Sequence, residues 1–297
     1  MKKTVLLLSV LFFLFSCSEQ YLEKGSKEYI AQVKKWRQKR NENLKKKSIW
    51  TRLAGLYWLQ EGDNTFGSAK DNLIQFPEFA PGKIGVIKLN NGKLFVTINN
   101  DVEVKVGNKK ITAQEIYADN VADFTLMKTG RYSWYIIKRG TKFGIRLIDN
   151  ENPIAKNFTK VPAFPINEDW VIEATWNKFK TPKEIEIPTV IGIAEKDTAY
   201  GEIVFALGGK EYHFIASGKG PEFSIIFSDG TNGEETYGAG RFVTAKMDTT
   251  SGVVIIDFNK AYNPPCAFTK YATCPLPLPE NMIETRITAG EKFEGHH

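Results

Sequence analysis

The sequence predicts an all-β protein: two packed antiparallel β-sandwich or barrel-like domains that follow an N-terminal signal and a linker helix. Three observations lead to this prediction. Short runs rich in Val, Ile, Phe and Tyr recur after residue 48, and Gly, Asn and Pro separate them. Helical periodicity is weak in the same region. The composition, 42% hydrophobic and 25% charged, is that of a globular chain with a sizeable core. Such patterns are typical of sandwiches and barrels.

The first seventeen residues predict a secretory signal that ends at a lipidation site. Two lysines precede the apolar run Val5–Phe15, which is too short to span a membrane as a mature helix. The tetrapeptide Leu14–Cys17 resembles the lipobox of bacterial lipoproteins. We therefore expect a signal peptide over residues 1–16 and an acylated Cys17 that attaches the chain to the bilayer of the bacterial envelope, facing the periplasm or the cell surface. The alternative is ordinary cleavage near Ser16.

The positive charge of the chain is concentrated directly after the proposed lipid. The formal net charge is +6, and residues 17–47 carry ten Lys or Arg against four Glu. Because Lys2 and Lys3 belong to the signal, residues 48–297 carry a net charge of −2. A nucleic-acid-binding protein should carry its basic patch on the folded domain. The charge distribution therefore argues against a nucleic-acid partner.

Residues 17–47 are predicted to form a basic linker that contains a helix from Lys27 to Lys47. Ile30, Val33, Trp36 and Leu44 fall near one side of this helix, so we expect it to dock through Trp36. Two interpretations of its lysines stay open. They form a solvated helix face, or they attract anionic lipid and reinforce the tether.

The first β-domain is predicted over residues 48–150. Ile84–Leu89 and Leu94–Ile98 flank Asn90-Asn91-Gly92, whose residues suit positive φ, and this pattern predicts a hairpin. Further strands are expected at Val102–Val106, Ser133–Lys138 and Gly144–Ile148. A helix is expected at Thr112–Ala118.

The second β-domain is predicted over residues 165–293. The proline-containing segment Asp149–Pro165 marks the boundary. Regular hydrophobic runs predict strands at Glu202–Leu207, Glu211–Ile215, Phe223–Phe227 and Val253–Phe258. We expect less than about 15% helix after residue 47, against about one-third in average globular domains.

Four motifs together resemble a known family. They are LAGLYWLQEGDNTFG (Leu53–Gly67), FSDGTNGEETYGAGRF (Phe227–Phe242), IDFNKAYNPPCAFTKYATCPLP (Ile256–Pro277) and ITAGEK (Ile287–Lys292). This combination resembles the bacterial and archaeal family called domain of unknown function 1684, over about Ser48–Lys292. The resemblance implies a domain span and a set of motif residues. It implies no reaction, because the family has no established activity.

A second resemblance concerns the first domain. Thr65–Phe76, TFGSAKDNLIQF, resembles the turn of forkhead-associated (FHA-like) β-sandwiches. Those domains bind phosphothreonine through an arginine just after the glycine and a serine further along. Here Ser68 follows Gly67, and the loop offers Lys70 but no arginine. The resemblance implies a similar fold without the bidentate phosphate anchor of a phosphopeptide site.

The second domain carries more polar motif residues than turn chemistry requires. Asp229-Gly230 and Asn232-Gly233 are turn dipeptides, so one interpretation is a hairpin in which Arg241 pairs with an acid. The functional interpretation is a pocket for a small polar or anionic ligand, anchored by the forked guanidinium of Arg241. The candidate ligand-binding residues are Asp229, Thr231, Tyr237, Arg241, Asp257, Asn259, Tyr262, Asn263 and Glu291.

Cys266 and Cys274 lie in a proline-rich segment that cannot form regular structure. Acylation of Cys17 leaves them as an even pair in an oxidising compartment, which favours a disulfide. Closing this loop would contribute roughly 2–3 kcal/mol, and we expect Phe268 and Tyr271 to be buried beneath it. The alternatives are two buried free thiols, or a zinc site with His213 despite the unusual C-x7-C spacing. We predict no metal and no cofactor.

Catalysis stays open at the level of sequence. The chain has no G-x-S-x-G motif, and of its three histidines only His213 lies in a strand pattern, since His296 and His297 end the chain. Thirty-four acids offer carboxylate pairs of unknown separation. Aromatic residues suggest either a sugar platform or ordinary strand packing, as at Tyr57, Trp58, Trp134 and Trp170.

The sequence therefore favours a lipid-anchored extracytoplasmic protein of unknown activity that binds a small polar or anionic ligand, or an envelope partner. The alternative is an uncharacterised hydrolase acting in the periplasm or at the cell surface.

Overall fold

The computed structural model describes residues 22–46 and 48–295. The predicted signal peptide, Cys17 and the terminal pair His296 and His297 lie outside these residues. Helix α1 (Lys27–Lys46) opens the described chain, and strands dominate after it. After residue 47, the only α-helix among the described residues is α2 (Pro153–Asn157), which is five residues long. The predicted all-β fold with little helix is confirmed. No helix in this part of the chain is long and apolar enough to cross a membrane.

The strands between residues 53 and 149 form two sheets, called here the N-terminal β-region. The first sheet is antiparallel and has the order β1 (Leu53–Trp58), β11 (Lys142–Asp149), β10 (Tyr132–Arg139), β9 (Met127–Thr129), β6 (Val104–Val106) and β7 (Lys109–Ile111). The second has the order β3 (Ile74–Gln75), β2 (Gly62–Gly67), β4 (Gly85–Asn90), β5 (Lys93–Ile98) and β8 (Ala113–Ile116). In the second sheet β2 and β3 pair in parallel, and the other pairs are antiparallel.

The core of the N-terminal β-region lies between its two sheets. Phe66, Phe76 and Trp134 pack there with ring centroids 5.6–5.8 Å apart. Alternate residues of β10 and β11 point to the opposite face of the first sheet, and most of these are buried as well. Because a sheet is buried on both faces only when something covers each of them, a second layer must lie on this outer face.

The β4–β5 hairpin shows how local sequence selects a turn. Asn90 and Lys93 pair at its end, and Asn91 and Gly92 adopt φ of 50° and 79°. Positive φ at both central residues is the geometry that favours Asn-Gly in a tight hairpin. The predicted hairpin is confirmed.

The helix expected at Thr112–Ala118 is wrong. Residues Ala113–Ile116 form strand β8, which pairs with β5 in the register Leu94↔Ile116. Ile116 is buried and Glu115 is exposed, the alternation of an edge strand. Pairing with β5 outweighs the helical preference of these residues, because a strand here covers an otherwise open sheet edge.

The third sheet, called here the C-terminal β-region, contains the remaining strands. Its antiparallel order is β14 (Lys210–Ile215), β13 (Glu195–Leu207), β12 (Val171–Ile187), β17 (Val253–Asp257), β16 (Arg241–Met247) and β15 (Glu222–Phe227). Phe205, Phe214, Phe227 and Phe258 form its aromatic core. Strands β12 and β13 form a long hairpin, and its tip reaches residues 274–276: Val190 N donates to Cys274 O at 3.0 Å.

Candidate functional site

Arg241, the predicted ligand anchor, is fully buried and bonded within the protein. Its Nη2 donates to Asp229 Oδ2 at 2.6 Å and to Ile287 O at 3.0 Å, and its Nη1 donates to Ala289 O at 2.5 Å. Burial lowers the pKa of Arg241, and the neighbouring Asp229 carboxylate opposes this shift. The side chain thus ties the segment around Ile287–Ala289 to β16. Its contacts fit the structural interpretation, in which Arg241 pairs with an acid.

Asp229 and Thr231 also stabilise the turn at residues 229–231 through hydrogen bonds to each other. Asp229 Oδ1 accepts hydrogen bonds from the backbone N–H of Thr231 at 2.9 Å and from its hydroxyl at 2.6 Å. The Thr231 and Thr236 hydroxyls are 2.8 Å apart. Both carboxylate oxygens of Asp229 are therefore engaged inside the protein.

The predicted site residues of the cysteine-containing motif bind helix α1. The Tyr29 hydroxyl donates to Asp257 Oδ1 at 2.7 Å and accepts from Asn259 Nδ2 at 2.9 Å. Burial, then the bond to Asp257, raises the pKa of Tyr29. These contacts join the first turn of α1 to the end of β17.

A second set of contacts holds the middle of α1. Arg40 Nε donates to Glu291 Oε1 at 2.7 Å, and Arg40 Nη2 donates to Asn263 O at 3.1 Å. The guanidinium lies 4.6 Å from the centroid of the Tyr262 ring. Glu291 also accepts from the backbone N–H of Asn263 at 2.7 Å. Tyr262, Asn263 and Glu291 thus form a seat for Arg40.

Apolar contacts complete the seat of α1. Val33 and Leu44 are almost completely buried, whereas Trp36, the expected anchor, is half-buried. The Trp36 ring lies 6.5 Å from Tyr262. We call the set Asp257, Asn259, Tyr262, Asn263 and Glu291 the α1 seat. Sequence reasoning selected these residues as polar and unusual, but their partner is the chain's own helix.

A groove of about 530 Å³ lies between α1 and residues 159–163, and we call it the basic groove. Asn41 supports it by accepting a hydrogen bond from Val161 N at 2.9 Å. Five cations and one carboxylate line it: Lys34, Arg37, Lys45, Lys46, Lys160 and Glu42. Lys34 pairs with Glu23 at 2.9 Å, so the other four cations give the groove its excess of positive charge.

Arg37 forms part of the wall of the basic groove. Its Nη1 donates to Phe164 O at 2.8 Å and its Nη2 to Asn259 O at 3.4 Å. Within residues 22–46 and 48–295 no carboxylate oxygen lies within 4.0 Å of this guanidinium. Burial lowers the pKa of Arg37, and Glu291 opposes the shift from a distance. The guanidinium of Arg37 is therefore hydrogen-bonded only to neutral carbonyl groups, while Glu291, Glu23 and Asp257 favour its charge without direct contact.

A second groove of about 600 Å³ contains Tyr237, and we call it the aromatic groove. It lies between residues 233–239 and 293–295, where the Tyr237 and Phe293 rings meet edge to face at 5.0 Å. Burial raises the pKa of Tyr237. Glu234 lines the groove and is paired with Arg286 at 2.7 Å. Of the nine predicted site residues, Tyr237 alone lines either groove.

Cys266 and Cys274 form a disulfide, as predicted, with their Cα atoms 6.1 Å apart. The expected burial of Phe268 and Tyr271 is wrong, because both are half-buried. The buried residues are smaller: Ala267, Thr269, Ala272 and Thr273. The disulfide loop (residues 266–274) is packed between the two β-regions, so its small side chains face inward. Tyr271 packs against the edge of the apolar cluster on the outer face of β10 and β11.

Sequence reasoning missed one group of residues near this loop. Arg146 of β11 is buried, and its Nη2 donates to Thr273 Oγ1 at 3.1 Å. Arg139 Nε donates to the same hydroxyl at 3.1 Å. The sequence does contain an indication of this contact, namely an arginine inside the apolar run Phe143–Ile148. Charged residues are rarely buried in a strand without a partner.

His213 is exposed and lies between two carboxylates. Its ring nitrogens are 3.3 Å from Glu202 and 3.1 Å from Glu211, and these groups raise its pKa. In the described part of the chain no cluster of three or more His, Cys, Asp or Glu could hold a metal. The zinc alternative, which required His213 beside two free cysteines, is incompatible with the disulfide.

Comparison with known proteins supports the family resemblance for the C-terminal β-region. Residues 156–292 match the family model of DUF1684, a protein of unknown function. This span is narrower than the expected Ser48–Lys292 and leaves out the N-terminal β-region. No curated protein matches the chain.

Three solved structures are similar to parts of the chain. An uncharacterised protein from Haloarcula marismortui, determined by NMR in solution, is 28% identical, with a TM-score of 0.40 over 48% of this chain and 80% of that chain. The FhaA FHA domain complexed with the intracellular domain of Rv3910 is 16% identical, with a TM-score of 0.22 over 31% of this chain and 96% of that chain. The Rv0020c FHA structure is 15% identical, with a TM-score of 0.22 over 32% of this chain and 95% of that chain.

Proposed function

We propose that this chain is a lipid-anchored extracytoplasmic protein that binds a small anionic ligand in the basic groove. An acylated Cys17 would hold α1 near the bilayer, because the ten residue-to-residue steps from Cys17 to Lys27 span at most roughly 35 Å when extended. The basic residues of α1 would add attraction to anionic headgroups. The groove would then face the space close to the membrane surface.

The size of the basic groove suits a small molecule. Its volume of about 530 Å³ lies within the range of about 300–1,000 Å³ that is typical of ligand pockets. One wall is α1 and the other is the segment 159–163, so a ligand would contact both. Binding would therefore stabilise the docked position of α1.

The observation that carries the proposal is the set of cations in the basic groove that have no directly bonded carboxylate, Arg37 among them. Its guanidinium is bonded to two backbone carbonyls and to no carboxylate of the described residues. A carboxylate or phosphate of a ligand would supply a directly bonded negative charge, and an arginine guanidinium suits both groups. Lys45, Lys46 and Lys160 surround the same groove, and no carboxylate of the described chain lies within 4.0 Å of their ammonium groups.

Glucose 6-phosphate, citrate and uncharged glucose test the proposal by thermal shift at constant ionic strength. We expect both anions to raise the melting temperature and glucose to leave it unchanged, because a ligand that binds the folded state stabilises it. The Lys45→Glu/Lys160→Glu variant should lose the effect. The matched control is Lys109→Glu/Lys110→Glu, which makes the same change in net charge on β7, outside the groove, and should keep it.

Two results would contradict anion binding in this groove. One is an equal shift with glucose. The other is an equal loss of the anion effect in both charge-reversal variants, which would indicate non-specific screening of the whole protein.

A hydrolase is the alternative proposal, and it would use the aromatic groove. Glu234 and Glu294 both line this groove, and a glycosidase needs two carboxylates. Glu234 is already paired with Arg286, however, with an Nη1–Oε2 distance of 2.7 Å. The geometry therefore favours ligand binding in the basic groove over hydrolysis in the aromatic one.

A further inference from the structure

Arg146 carries a charge in an apolar part of the molecule. It lies on the outer face of β11, where the disulfide loop covers the sheet, and is only 2% exposed. An apolar cluster surrounds this face, with Leu53, Ile137 and Ile148 at its centre. No carboxylate of the described chain lies within 4.0 Å of the guanidinium. A buried charge without a partner normally costs several kcal/mol.

The hydrogen bonds of Arg146 leave most of its donors unused. A guanidinium has five N–H groups. Nη1 donates to the Tyr135 hydroxyl at 3.3 Å and Nη2 to the Thr273 hydroxyl at 3.1 Å. Nε is buried and has no partner. Buried N–H groups are nearly always bonded, so an acceptor is missing from this site.

The hydroxyl groups of Tyr135 and Thr273 also lack hydrogen-bond acceptors. Tyr135 and Thr273 are both buried, and each accepts a hydrogen bond from Arg146. Thr273 accepts a second one from Arg139. Neither hydroxyl proton is bonded to an acceptor among the described residues. The Nε–H of Arg146 and the two hydroxyl protons therefore have no acceptor among the described residues.

Nearby carboxylates do not supply the missing acceptor. Asp119 and Glu195 lie 3.0 Å and 3.3 Å from the Arg139 guanidinium and are bonded there, and neither lies within 4.0 Å of the Arg146 guanidinium. A buried water could accept a hydrogen bond from Nε but would bring no negative charge into direct contact with Arg146.

We propose that Arg146, Tyr135 and Thr273 form a binding site for a small oxyanion such as phosphate or sulfate. Its oxygens would accept from Nε of Arg146 and from the two hydroxyls, and its charge would balance the guanidinium. The site is separate from the basic groove. Thr273 belongs to the disulfide loop, so the loop is the part that must move for an anion to enter. The Trp50 ring lies 5.4 Å from the Arg146 guanidinium and can report the event.

Titration of the oxidised protein with inorganic phosphate, sulfate and acetate tests the site, with tryptophan fluorescence and melting temperature as readouts. We expect phosphate and sulfate to bind and to stabilise the fold. Arg146→Met should weaken binding by at least roughly tenfold, since bonds to charged groups are the strong ones. Replacing a buried ion by an apolar residue of similar size usually preserves the fold. Tyr135→Phe should weaken binding several-fold, and Trp50→Phe should remove only the fluorescence signal.

Two control variants separate this site from other cations. Arg286→Met removes an exposed arginine that is paired with Glu234 and Glu235 and should leave phosphate affinity unchanged. Lys45→Glu/Lys160→Glu is designed to remove anion binding in the basic groove, so it should leave the phosphate affinity that Trp50 fluorescence reports unchanged. Unchanged affinity in Arg146→Met would overturn the proposal. So would a Kd weaker than about 10 mM, which would mean an adventitious ion only, or the absence of any response in the oxidised protein.

Discussion

Arg241 and Asp229 form a buried ion pair whose hydrogen-bond partners all belong to the protein, although Arg241 Nε is buried without a partner among the described residues. The guanidinium bonds to the carboxylate and to carbonyls of the segment around Ile287–Ala289, while Asp229 also bonds to Thr231. Such a pair contributes little beyond what apolar residues of the same size would, but breaking it leaves a buried charge without a partner. At the scale of single residues, the motif that looks like a ligand anchor is a structural tie.

We therefore expect Asp229→Ala to lower the free energy of unfolding by about 3–5 kcal/mol. The reason is the unpaired Arg241 that it leaves behind. Urea denaturation measures the change, and Asp229→Ala/Arg241→Met is the control, because removing the orphaned charge should restore part of the stability. A double variant that is less stable than the single one would contradict this explanation.

The disulfide loop gives a second prediction at this scale. Cys266→Ser/Cys274→Ser should lower the free energy of unfolding by roughly 2–3 kcal/mol, because the open loop gains conformational freedom in the unfolded state. Alkylation without reduction should leave both cysteines of the wild type unmodified, as mass spectrometry can show. Two readily alkylated thiols would be the contrary result.

Helix α1 is the element on which the candidate site depends. It contacts the α1 seat at both its first turn and its middle, through Tyr29 and Arg40. Arg52 donates hydrogen bonds to the carbonyls of Lys45 and Lys46 at the end of the helix, and these bonds fix the direction in which the chain leaves α1. Without α1 the basic groove would have one wall.

Weakening the seat should loosen the helix without changing the sheets. In Glu291→Gln, Arg40 loses its charged partner, so we expect faster hydrogen exchange of the α1 amides. Exchange in β12, β13 and β17 should stay close to that of the wild type, since local opening involves the contacts of one element. Lys246→Gln, which breaks an exposed pair with Glu222, is the control. Unchanged exchange in α1 would show that the seat does not hold the helix.

The sequence predicts local structure at this scale better than it predicts partners. Asn91-Gly92 specifies the β4–β5 hairpin because positive φ is a local requirement. The local sequence of β8 predicts a helix, but pairing with β5 makes it a strand. The α1 seat could not be foreseen: Tyr29 and Asp257 are 228 positions apart in the chain, and no periodicity connects them. The high content of polar residues in the motifs indicated the residues of the α1 seat, but it did not indicate that they bind the chain's own helix.

At the scale of the whole molecule, the disulfide loop and the β12–β13 hairpin connect the two β-regions. Arg139 bonds to Thr273 of the loop and to Glu195 of β13, and the loop bonds to the hairpin tip. Helix α1 lies on the C-terminal β-region and begins ten positions after Cys17, the predicted tether. With Cys17 acylated, these contacts would set the orientation of the two β-regions relative to the membrane.

The tether itself gives the prediction for the whole protein in the cell. Cys17→Ala should move the protein from the membrane fraction to the soluble fraction, because the basic α1 alone provides only weak, salt-sensitive attraction. Fractionation at low and high salt measures the effect, with Cys266→Ser/Cys274→Ser as a control for the loss of cysteine elsewhere. Full retention of the variant in the membrane fraction at high salt would contradict acylation at Cys17.

The central claim is that the α1 seat holds the helix so that the basic groove can bind an anion. The affinity of glucose 6-phosphate for Glu291→Gln, measured by isothermal titration, tests it most directly. Glu291 does not line the groove, and removing its negative charge should by electrostatics alone strengthen anion binding. We expect the opposite, an affinity at least several-fold weaker than that of the wild type, because the helix wall is displaced. Equal or tighter binding would contradict the claim.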